Sequence, residues 1–213
     1  MVAADDAPRA DLIVYADYVC PYSYLAEVAV APLRAEGVRV AERALELRPP
    51  PVRLPAGAPI GAAEWEREVS PLARGLGVTG MEPPRLATRS RKAHEAAAFA
   101  REHGAGQAMH AALYHAYFVE GRDIGRIDVL VEIGADTGLD RLGLRIALDV
   151  DKYTAQVVAQ QVEAARRGIT AVPTHLVSGA DGTLLMMKGV RATEELRALL
   201  AAGSTSRMDG ENG

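Results

Sequence analysis

The single cysteine of the 213-residue chain, Cys20, stands in the stretch Asp17-Tyr18-Val19-Cys20-Pro21-Tyr22-Ser23-Tyr24-Leu25. An apolar run, Leu12-Ile13-Val14-Tyr15-Ala16, precedes it and reads as a short buried strand. Leu25, Val28, Ala29 and Leu33 follow at helical spacing. The cysteine therefore falls where a strand ends and a helix begins. Unpaired backbone N–H groups and the positive end of the helix dipole favour an anion at such a place. The position predicts a lowered pKa and a nucleophilic sulfur at Cys20. A lone cysteine is otherwise read as a small buried hydrophobe; Pro21 and the junction shift the reading towards a working thiol. With one cysteine no intramolecular disulfide can form.

The elements that must position this thiol alternate in type along the chain. A strand is expected over about 11–17 and a helix over about 21–36. Pro21 is tolerated in the first turn of that helix, Pro32 is expected to kink it, and Gly37 closes it. Residues 38–47 alternate and predict a second strand. The proline-rich run 48–59 cannot be helix or central strand and reads as a linker. From about 62 to 168 the pattern is helical: 63–75 around Trp65, 91–103 with Ser90 as N-cap, 107–119, about 128–134, 140–149 and 151–167. Extended chain returns at 174–177. A turn at 179–182 and a partner strand at 184–188 make a hairpin, and a helix over 194–200 ends the folded part. The termini, 1–10 and 203–213, read as flexible. The division is thus a discontinuous α/β domain, 11–48 with 169–202, interrupted by a helical insertion at 62–168.

Composition limits the partners. The chain is 49% hydrophobic and 24% charged with a formal net charge of −4, which argues against general nucleic-acid binding. No apolar window is long enough for a membrane span. The first residues lack the basic and apolar regions of a secretory signal, which predicts a cytoplasmic protein. No set of Cys and His has zinc-site spacing, and no Gly-rich loop follows a strand to cradle a nucleotide. His110 and His115 are five apart and share no metal-binding helix face. His175 is expected near the Cys20 site or exposed, and Tyr24 in packing.

Cys-Pro-x-x at a strand-to-helix junction resembles the active site of the thioredoxin superfamily. The longer string Asp-x-Val-Cys-Pro-x-x-Tyr-Leu is similar to the FrnE-like branch of the DsbA family. A second resemblance is Val172-Pro173-Thr174, which looks like the cis-proline loop that faces the catalytic cysteine in that superfamily. Further resemblance lies in Arg89-Ser90-Arg91-Lys92-Ala93-His94, where the family more often has Asn at the position of Arg89, and in residues 117–124. The resemblance covers most of 11–200. It implies an α/β thioredoxin-like fold: a mixed four-stranded sheet, helices on both faces and a large all-helical insertion between the second and third strands. It implies Cys20 and Ser23 as catalytic residues. Pro21, Tyr22, Val172, Pro173 and Thr174 would bind substrate. His94 has two readings, a cleft residue that stabilises the thiolate or a helix histidine satisfied by a neighbour.

Ser23 replaces the second cysteine of the motif. A serine hydroxyl can hydrogen-bond to a thiolate but cannot resolve a mixed disulfide. The expected chemistry is therefore monothiol. Cys20 attacks a disulfide of a small molecule or a protein, and an external thiol finishes the cycle. No tightly bound cofactor and no metal are expected, glutathione is the candidate co-substrate, and the chain would be a monomer or homodimer. Three other readings stand beside this one. The string Pro21-Tyr22-Ser23-Tyr24-Leu25-Ala26 is similar to kappa-class glutathione transferases and 2-hydroxychromene-2-carboxylate isomerases. The chain could also be a non-catalytic thioredoxin-fold binding module, or an engineered Cys-to-Ser form of a dithiol enzyme.

Overall fold

The computed structural model describes residues 10–178 and 184–208. Residues 1–9 of the lead-in expected to be flexible over 1–10, the turn at 179–182 and the last five residues lie outside them. The strands are β1 (Leu12–Ala16), β2 (Val40–Ala44), β3 (Thr174–Ser178) and β4 (Leu184–Lys188). They form one mixed sheet in the order β2-β1-β3-β4. β1 runs parallel to β2 and antiparallel to β3, and β3 and β4 form the antiparallel pair. Helix α1 (Pro21–Ala35) links β1 to β2, and α9 (Thr193–Met208) follows β4.

The central strand β1 explains its own sequence. Leu12, Val14 and Ala16 point to one face, against Val30 and Leu33 of α1 and Leu196 of α9. Tyr15 points to the other, with Leu176, Ile169 and Ala164 of α8 (Thr154–Arg166). A strand covered on both faces has no polar positions, so it reads as a continuous apolar run. β2 is shorter than the expected 38–47. Beyond Ala44 its partner strand has ended, and side chains take over its N–H groups. Gln161 Oε1 accepts from Glu46 N–H at 3.2 Å, and Asp17 Oδ2 from Leu47 N–H at 2.6 Å.

Between β2 and β3 the chain is helical wherever it is regular: α2 (Ala62–Glu64), a π-helical turn (Trp65–Val69), α3 (Ser70–Gly75), α4 (Arg91–Glu102), α5 (Gly106–Phe118), α6 (Ile127–Asp136), α7 (Arg141–Asp149) and α8. The expected single helix over 63–75 is divided by the π turn. Pro71 lacks an N–H and crowds the carbonyl four residues before it, so wider spacing there relieves both problems. Ser90 is at the N-cap of α4 but makes no capping bond. Its φ of −92° and ψ of −7° are helical, whereas a capping side chain needs an extended backbone. α1 continues through Pro32 as one helix. α9 extends past the expected 194–200, into the segment expected to be flexible from 203.

The insertion and the sheet domain share a core. Tyr18, Val19 and Leu25 belong to the same buried cluster as Phe99, Tyr114 and Phe118. Tyr24 stacks on Tyr114 and Phe118 with ring centroids 5.3 and 5.7 Å apart, the packing role its sequence position suggested.

Candidate functional site

The turn from β1 into α1 is built around Asp17, which is 0% exposed. Its Oδ2 accepts from Leu47 N–H, its Oδ1 accepts from Val19 N–H at 3.4 Å, and its own N–H donates to Ser23 Oγ at 3.3 Å. Its carbonyl accepts from Cys20 N–H at 3.0 Å. These bonds leave Cys20 as the N-cap of α1, with φ −97° and ψ 117°. An apolar strand ending in a carboxylate that must be satisfied by its own turn accounts for the sharp change of direction.

Cys20 is 3% exposed, and its thiol donates to the Val172 carbonyl at 3.7 Å. The Val172–Pro173 peptide bond is cis. The expected lowering of the Cys20 pKa is not found. Burial pushes the thiol above its ordinary value, and the charge of Asp17 adds to that. The Ser23 hydroxyl and the N–H groups of Ser23 and Tyr22 pull the other way without reversing it. The helix-start argument was sound about those donors but omitted the desolvation that tertiary packing imposes.

Cys20 opens into a cleft of about 230 Å³ that also contains Pro21, Tyr22 and Val172. Four of the sequence-predicted residues are therefore brought together. Ser23 lies beneath Cys20, buried, on Asp17 N–H. Pro173 and Thr174 are buried outside the lining; the Thr174 hydroxyl donates to the Ala171 carbonyl at 2.7 Å and so holds the loop from behind. Tyr22, expected exposed, is half-buried, and its hydroxyl donates to Glu68 Oε2 at 3.1 Å. His94 is a correction to the cleft reading. It is buried away from that lining, with Nε2 3.3 Å from Asp17 Oδ1 and its ring 4.8 Å from that of Tyr18. A larger hollow of about 530 Å³ lies beside α1, α5 and α6 and contains neither Cys20 nor any other predicted site residue.

Sequence reasoning missed Asp17 as the organiser of the turn, although an acidic residue closing an apolar strand was a usable signal. It also missed Arg48 and Glu64, the charged residues of the cleft lining, which come from loop and insertion with no periodicity to mark them. His110 is a member of a buried chain. Tyr18 Oη lies 2.8 Å from its Nδ1 and Glu27 Oε2 lies 3.0 Å from its Nε2, while Arg34 pairs with both Glu27 and Glu42. Glu27, Glu42 and His110 offer ligand atoms within 4.8 Å of one another. Arg34 already occupies those carboxylates, so the group reads as an ion-pair network. His175 is buried, not exposed, on β3 two residues after Pro173, with no well-formed hydrogen bond at either ring nitrogen.

Among the described residues no helix is long and apolar enough to cross a membrane. The family described as DSBA-like thioredoxin domain matches residues 11–201. The uncharacterized protein YwbO of Bacillus subtilis (strain 168) is 31% identical over 190 residues, covering 83% of this chain and 94% of that protein. Solved structures of the same fold include the following two. A probable DsbA oxidoreductase from Streptomyces coelicolor superposes with a TM-score of 0.73 at 22% identity, covering 90% of this chain and 88% of the other. The cytosolic disulfide reductase DsbM from Pseudomonas aeruginosa, solved with GSH, gives 0.63 at 20% identity, covering 94% and 97%.

Proposed function

We propose, from the premise that this chain belongs to the DSBA-like thioredoxin domain family, that it is a monothiol thiol–disulfide oxidoreductase with Cys20 as nucleophile. One observation carries this reading: the Cys20 sulfur faces the Val172 carbonyl in an open cleft while the partner position holds a hydroxyl, that of Ser23. In the resting form the thiol is protonated and donates to Val172. On deprotonation, the Ser23 hydroxyl and the N–H groups of Tyr22 and Ser23 stabilise the thiolate. The thiolate attacks one sulfur of a disulfide. A Cys20 mixed disulfide forms, the substrate S–S bond breaks, and the other sulfur leaves as a thiolate that takes a proton from solvent. An external thiol, with glutathione as the proposed co-substrate, then attacks the mixed disulfide and restores Cys20. A reducing compartment would supply that thiol.

Incubation with oxidised glutathione, followed by intact mass measurement, tests the reading. A single adduct is expected, absent in Cys20→Ala and removed by reduced glutathione; no adduct even at alkaline pH overturns it. The variant Ser23→Cys is expected to gain dithiol reduction of insulin.

The raised Cys20 pKa supports a second reading. A thiol kept neutral can donate a hydrogen bond to the sulfur of a bound glutathione, as a glutathione-dependent isomerase or transferase would require. Glutathione that still reacts with an electrophile in Cys20→Ser, but not in Cys20→Ala, would favour that alternative.

A further inference from the structure

The segment that follows β2 enters the cleft held at three successive residues. Glu46 and Leu47 give their N–H groups to Gln161 and Asp17, and the Arg89 guanidinium donates to the Arg48 carbonyl at 2.6 Å. The backbone of Arg48 is therefore fixed beside the thiol. Arg48 lines the cleft, is half-buried, and makes no ion pair among the described residues. Two other half-buried arginines have carboxylate partners, Arg34 with Glu27 and Glu42 and Arg91 with Glu46, while Arg89 has the Arg48 carbonyl. A guanidinium that is always charged and partly desolvated is most stable against a carboxylate held by two parallel bonds. The cleft contains a second charge, Glu64, exposed at the end of α2 and also without an ion pair among the described residues. The wall contributed by Pro59, Ile60 and Pro84 is apolar.

We propose that Arg48 and Glu64 set the substrate class. It is a low-molecular-weight thiol or disulfide that places a carboxylate on Arg48 and an ammonium group on Glu64 while its sulfur meets Cys20. A zwitterionic peptide thiol has these groups, and a cleft of about 230 Å³ is small enough to be filled by one. This inference rests on the monothiol reading for its chemistry, but recognition can be measured without the reaction. S-methylglutathione carries the same charged ends and cannot exchange with Cys20.

Calorimetric titration of the full chain with S-methylglutathione is expected to show binding that weakens as salt is added. Arg48→Ala should weaken it about tenfold, the loss of one charge-assisted pair. Arg48→Lys should recover part of it, and Glu64→Gln should weaken it by a smaller factor. The ratio of adduct formation rates with oxidised glutathione and with the uncharged bis(2-hydroxyethyl) disulfide should fall by a similar factor in Arg48→Ala. No binding of S-methylglutathione, or equal binding to wild type and Arg48→Ala, overturns the inference. Binding to S-methylglutathione without any adduct from oxidised glutathione supports the inference and overturns the monothiol reading instead.

Discussion

At the scale of single residues, the proposed chemistry turns on how Cys20 reaches its thiolate. Burial and the Asp17 charge hold its pKa above the ordinary thiol value, and only the Ser23 hydroxyl and two N–H groups oppose them. The thiolate fraction therefore keeps growing as pH rises beyond the range where a free thiol has titrated. The rate of alkylation by iodoacetamide should still be climbing at pH 9, and a plateau below pH 8 would contradict this account. Removing the Asp17 charge acts in the opposite sense, so Asp17→Asn should move the profile to lower pH. Asp17→Ala should instead be felt in stability. It strands the Leu47 N–H and the His94 ring, and the cost read from denaturant unfolding should be about 1–3 kcal/mol. Cys20, Pro21, Tyr22 and Val172 were legible because each belongs to a short contiguous motif. Asp17, Arg48 and the direction of the Cys20 shift were not, because they depend on what the fold packs around them.

At the scale of elements, α1 carries the thiol and is itself held through a seam of rings. Tyr24 lies on Tyr114 and Phe118, and Trp65 of the π turn stacks on Phe118 at 6.4 Å. Phe118 is 1% exposed, so Phe118→Ala should cost about 3–5 kcal/mol of global stability, measured by the shift in the urea midpoint. Element types were readable because periodicity is a local property. β1 has two covered faces and no polar positions, while α4 to α8 show helical spacing between glycines. Element ends were less readable. The end of β2 is set by where β1 stops, the division before Pro71 by the need to relieve a missing N–H, and the behaviour of Ser90 by a backbone angle. None of these is written in the spacing of apolar residues.

At the scale of the molecule, His175 records how tightly the sheet is closed. It faces the same side as Val14 and Met187, its paired residues on β1 and β4. Burial, with a smaller contribution from Arg191, lowers its pKa to about 4 from the ordinary 6.5. The unfolded chain binds this proton below about pH 6.5 and the folded one only near pH 4, so stability rises with pH across that interval. Acidification from 6.5 to 4 should remove about 3 kcal/mol. His175→Leu should flatten that part of the pH–stability curve; an unchanged slope would show that other groups set it. Tyr18, Val19 and Leu25 bracket Cys20 and also belong to the buried cluster of the insertion. The insertion is therefore not a detachable accessory. Cutting it out would bare the apolar flanks of Cys20, so a minimal sheet domain cannot be carved from this chain, and heating should melt sheet and insertion in a single calorimetric transition.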